Sequence, residues 1–99
     1  MVYVELKKAT TQGKKYTMIF YDDERRKIKT TSFGAAGMSD YTKHKDDERK
    51  QRYLARHRAN EQWDDYMSSG ACARWILWHK PTITASYNDY LKRFNLKKY

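Results

Sequence analysis

The first third of the chain alternates apolar and polar side chains, and the remainder repeats its apolar positions at helical intervals. Val2, Val4 and Leu6 alternate with Tyr3, Glu5 and Lys7, the period-two pattern of a strand with one face on a core, and predict β structure over about residues 2–7. The polar run from Thr10 to Lys15 reads as a turn around Gly13, and Tyr16–Tyr21, rich in aromatic and β-favouring residues, predicts a second strand. Asp22, Asp23 and Glu24 interrupt the pattern before Lys27–Phe33 restores it. That third strand places Lys27, Lys29, Thr31 and Phe33 on one side and Ile28, Thr30 and Ser32 on the other. Short connections between consecutive strands predict an antiparallel meander over about residues 2–33.

Gly34 and Gly37 bracket two alanines. Such a loop can turn backbone N–H groups toward an anion, but neither its spacing nor its flanks match a phosphate-binding loop, and a tight corner using glycine's freedom at positive φ is the better reading. A helix over about Lys45–Asn60 follows, with Asp46, Asp47 and Glu48 in its first turn, where carboxylates complement the helix dipole. Ser68 or Ser69 can cap a second helix that runs through Trp75 and Trp78 until Pro81 stops it. This segment is apolar almost all round and should be the most buried helix. Thr82 or Thr84 can cap a third, reaching about Phe94, with Ile83, Tyr87, Tyr90, Leu91 and Phe94 on one face. The expected fold is α+β: a three-stranded antiparallel meander followed by three helices, packed as two layers in a single domain over 1–99, its helical part over about 45–95.

The run FGAAGMSDYTKHKDDERKQRYLARHR, then Trp63, then GACARWILWHKPTITASYNDYLKRF, resembles a family of small basic proteins encoded by large double-stranded DNA viruses, notably those that infect algae. The resemblance extends from Phe33 to Leu96. It implies a viral setting and brings no catalytic motif with it.

Charge sharpens the functional question. The 99 residues carry a formal net charge of +9 and include nine Tyr and three Trp, which suits a polyanionic partner and a core built from large rings. The cations are spread along the chain, without a basic tail, so a binding face must be assembled by the fold. Lys45, Arg49, Arg52 and Arg56 step along one face of the first predicted helix. A solvated face with acid–base pairs such as Asp46 with Lys50 and Glu48 with Arg52 is the bland reading of the same residues. Lys27 and Lys29 of the third strand are the other candidate contacts.

The carboxylate pairs Asp22–Asp23, Asp46–Asp47 and Asp64–Asp65 are sequence neighbours whose side chains diverge, and turn or cap chemistry accounts for them. His44, His57 and His79 are scattered, and no nucleophile motif is present. The expectation is therefore no enzyme, no metal and no cofactor. Lone Cys72 is expected to be a buried thiol. The longest apolar run, Trp75 to Trp78, is far short of the roughly 20 residues that span a bilayer, and no signal-peptide pattern opens the chain. The expected setting is a virion or the host cell interior rather than a secreted one. Two functions fit: a nucleic-acid-associated protein that contacts double-stranded DNA non-specifically through phosphates, or a minor capsid or cement protein that meets acidic virion proteins through charge and aromatic patches.

Overall fold

The computed structural model describes residues 1–99, and its sheet starts with β1 (Tyr3–Lys8), where Val4 is fully buried and Lys7 and Lys8 are exposed. β1 pairs antiparallel with β2 (Lys14–Tyr21), and β2 pairs antiparallel with β3 (Lys27–Ala35). The expected meander is therefore present, but the sheet is larger. A short strand β4 (Lys97–Lys98) runs parallel to β1 on its other side, giving the order β3-β2-β1-β4 and a mixed, four-stranded sheet. Asn95, at φ 54°, turns the chain after the last helix, Leu96 is buried, and the amides of Lys97 and Tyr99 donate to Val2 O (3.1 Å) and Val4 O (2.8 Å). Backbone pairing and one buried leucine make this strand; its lysines stay in solvent.

The register puts Val4, Met18, Phe20, Thr31 and Phe33 on the face that the helices cover. It also corrects the placement of two lysines. An irregularity between Phe20 and Tyr21 leaves Ile28 without a partner, so Lys29 opposes Phe20 whereas Lys27 opposes Tyr21. One extra residue shifts the alternation, and the two lysines end on opposite faces.

Four helices form rather than three. Asp40 caps α1 (Tyr41–His44), which ends at Lys45 in the left-handed conformation (φ 54°). Asp46 then caps α2 (Asp47–His57). The helix expected over Lys45–Asn60 is thus α2, shorter at both ends; Lys45 lies in the left-handed turn before it, and α1 is an additional short helix upstream. Ser68 caps α3 (Ser69–Cys72) with its Oγ accepting from Ala71 N, and the helix continues in π geometry over Ala73–Leu77. It ends short of Pro81, and cations cover the carbonyls just past its end: Arg74 Nη1 donates to Trp78 O (3.1 Å) and Lys50 Nζ to His79 O (2.6 Å). Thr82, rather than Thr84, caps α4 (Ile83–Arg93).

The core is a single cluster in which Val4, Met18, Phe20 and Phe33 of the sheet meet Cys72, Ile76 and Leu77 of the α3 segment, Tyr90 of α4 and Leu96. Tyr90 is buried whole because its hydroxyl donates to Tyr66 O at 2.6 Å, which removes the cost of an unpaired polar atom. Burial also pushes the Cys72 thiol up to about 12, so it is a packing residue. The α3 segment and α4 supply the helical side of this cluster, and the opposite sheet face, with Tyr3, Ile19 and Tyr21, lies outside it. No helix is long and apolar enough to cross a membrane.

Candidate functional site

α2 has few apolar residues, and its placement rests on what its inward side does. The Asp46 carboxylate accepts from Glu48 N (3.0 Å) and Arg49 N (3.3 Å), and Asp47 and Glu48 occupy the first turn, so the helix start is both capped and matched to the dipole. Tyr53 is the helix's one buried residue and stacks with two rings: His57, centroids 4.3 Å apart, and Trp78, 4.2 Å apart and nearly parallel. Asp47 anchors the same turn by accepting from Tyr41 Oη at 2.6 Å. Lys50 turns inward, with its ammonium 4.7 Å from the Tyr41 ring centroid and bonded to His79 O. Burial, and then the neighbouring charge of Arg74, hold that ammonium below the usual lysine value. Lys50 is therefore an anchor and not, as the spacing suggested, a partner for Asp46.

With Lys50, Tyr53 and His57 turned inward, Arg49, Arg52 and Arg56 share the outer face, and all three are exposed. Three and four residues apart, they form a row along the helix. Only Arg52 has an acidic neighbour, Glu48 Oε1 at 3.8 Å, a separation too long for a strong bond. Arg58, the C-cap residue, is exposed beyond them. The first helix thus keeps three of the four cations expected on its face.

Lys45 is not among them. It belongs to the α1–α2 turn, and its Nζ donates to Thr42 O at 3.0 Å. Lys27 and Lys29 are exposed at the start of β3, an edge strand. The other end of β3, at Gly34 and Ala35, is the one that shares a cleft with Arg56; six residues at about 3.3 Å each put Lys29 roughly 20 Å from Ala35. The structure brings Arg49, Arg52 and Arg56 together and leaves Lys45, Lys27 and Lys29 apart. Lys14, which also lines that cleft, was missed by spacing because a strand and a helix distant in sequence bring it there.

The carboxylate pairs are used as turn and cap groups. Asp22 accepts from Glu24 N and Arg26 N, both at 2.9 Å, and Asp65 accepts from Met67 N at 3.2 Å.

A protein-family model matches residues 4–57, from β1 to the last residue of α2. The chain belongs to the family of unknown function DUF5754. The DUF5754 match takes in the meander, the glycine corner and all three arginines of the α2 face, so these belong to one family unit, while α3 and α4 lie beyond it. No curated protein and no solved structure matches the chain.

Proposed function

We propose that the protein binds double-stranded DNA through its phosphates, non-specifically and without catalysis, using the α2 face of Arg49, Arg52 and Arg56. The observation that carries this reading is that row of exposed guanidinium groups, one of them with a single weak acidic neighbour, on a helix fastened from its other side. Guanidinium forks suit phosphate oxygens, and a row on one rigid helix can follow a phosphate backbone while reading no base. The net charge of +9 adds a long-range attraction of the same sign. The likeness of Phe33–Leu96 to proteins of large double-stranded DNA viruses supports a genome as the partner, within a virion or an infected cell.

A second reading, a minor capsid or cement protein, is favoured by the sheet face that no helix covers. There Tyr21 and Tyr99 stack at 3.7 Å, Arg25 lies over Tyr3 and Tyr99, and Ile28 is half exposed. Mobility-shift titration with unrelated duplexes separates the two. DNA binding requires similar affinity for every duplex and a large loss in Arg49→Glu/Arg52→Glu, whereas a capsid role leaves any weak DNA binding indifferent to that change.

A further inference from the structure

A cleft of about 470 Å³ lies beside Arg56, walled by the start of β2, the end of β3, the loop from Ala35 to Asp40, α2 and the α3 segment. Its volume falls within the range of about 300–1,000 Å³ typical of small-molecule sites. Phe33, Tyr53 and Leu77 line it as buried side chains, and half-buried Trp78 and Met38, 64% exposed, are the large apolar side chains with surface open to an occupant.

The charges of the cleft are unevenly matched. Lys15 is bonded to Asp40, both side chains almost wholly buried, and the Asp40 carboxylate also accepts from Thr42 N at 3.0 Å and from the Thr42 hydroxyl. His57 Nδ1 lies 3.2 Å from Glu61, which accepts from Trp63 Nε1 at 3.3 Å. Both carboxylates are thus committed to partners. Lys14 and Arg56 make no ion pair, and both are exposed. An occupant must therefore offer negative charge to Lys14 and Arg56 and an apolar, planar body to the aromatic lining. A DNA duplex is too large for this volume.

We infer that the cleft binds the phosphate and base of a single nucleotide, its phosphate at Lys14 and Arg56 and its ring against the part of Trp78 that Tyr53 leaves uncovered. Two sources present that chemistry: a free mononucleotide, or an unpaired nucleotide of a strand. The site goes beyond duplex binding by α2, since Lys14 takes no part in the one and Arg49 and Arg52 take no part in the other.

The test is fluorescence or calorimetric titration of the full chain with adenosine monophosphate, adenosine, inorganic phosphate and a short single-stranded oligonucleotide. Wild type is compared with Lys14→Glu, which reverses a cation, and Ala35→Trp, which fills the cleft from an exposed position; circular dichroism confirms that each variant is folded. Saturable binding of adenosine monophosphate, weakened about tenfold or more in both variants, supports the site. Tighter binding of the oligonucleotide assigns it to a strand, and tighter binding of the mononucleotide to the free ligand. Arg49→Glu/Arg52→Glu should lose duplex binding and keep mononucleotide binding, so the two readings fail separately. No saturable binding of either nucleotide probe, equal affinity of both variants and wild type, or binding of adenosine or of inorganic phosphate as tight as that of adenosine monophosphate overturns the inference.

Discussion

The rings of Tyr53 and Trp78 lie face to face, 4.2 Å between centroids and 2° from parallel. This contact links the arginine helix to the segment that forms the core's centre, because Trp78 directly follows buried Leu77. Without it, α2 is left with the Asp47 bond to Tyr41 Oη and with Lys50, Leu54 and His57, none of these four residues fully buried.

Tyr53→Ala should therefore destabilise the protein by about 3 kcal/mol, the lower end for removing a buried ring. A double-mutant cycle with Trp78→Ala should return a coupling of about 0.5–1.5 kcal/mol, the range for an aromatic pair beyond its buried area. Urea unfolding of the four proteins provides the measurement, and additive losses would show that the stack contributes nothing of its own.

Trp75 is held differently. Its Nε1 donates to Trp63 O at 3.0 Å, and Arg93 and Arg74 lie 3.8 Å and 4.2 Å from its ring centroid. Trp75→Ala removes packing, one hydrogen bond and the seat of two cations, and should cost about 3 kcal/mol. Thermal unfolding should show a large drop in midpoint; a change of only about a degree or two would mean the ring is dispensable to the fold.

Lys15 and Asp40 form an ion pair with almost no exposure. Removing one partner leaves the other charged and buried, so Asp40→Ala should cost about 3–5 kcal/mol, part of it through loss of the α1 cap. Lys15→Met/Asp40→Leu should cost less than the single change, since no charge is then stranded. Chemical denaturation of the two variants distinguishes these outcomes.

The caps and the apolar stripes of this fold are legible in the sequence because they depend on local chemistry. Ser68 and Thr82, each the first of the two residues the sequence offers, cap their helices, and Ile83, Tyr87, Tyr90, Leu91 and Phe94 pack toward the core together. What is illegible depends on contacts distant in sequence. Lys97 and Lys98 form a strand because Val2 and Val4 offer carbonyls nearby, and neither lysine carries an apolar signal. Lys45 looks helical by spacing, yet the hydrogen bond from its amide to Tyr41 O closes α1 and leaves it left-handed. The α2 arginines were readable because helical spacing alone puts them on one face. Lys14 and Arg56 line one cleft through tertiary packing, which no local period encodes.

His79 Nε2 lies 2.8 Å from Asp89 Oδ2, and Arg74, Lys80 and Arg93 are the other charges near the pair. Burial holds the His79 imidazole below its usual 6.5, outweighing the opposing pull of Asp89. The unfolded chain therefore binds this proton first as pH falls. The associated stability is full above 6.5 and is lost as pH drops through the lower folded value. His79→Gln should flatten that part of the curve of midpoint against pH, and an unchanged curve would assign the acid sensitivity to other groups.

If Arg49, Arg52 and Arg56 contact phosphates, duplex binding must depend steeply on salt, and less steeply once two of the three are reversed. Log affinity of the wild type should fall linearly with log salt, and Arg49→Glu/Arg52→Glu should both weaken binding and flatten the slope by about 0.9 per lost contact, roughly 2 in all. The fold should survive, because the only ion pair disturbed is an exposed one, Arg52 with Glu48, a kind that contributes about 0.3–0.5 kcal/mol. Equal affinities and equal slopes for the two proteins, with circular dichroism showing both folded, would contradict the assignment of DNA binding to α2.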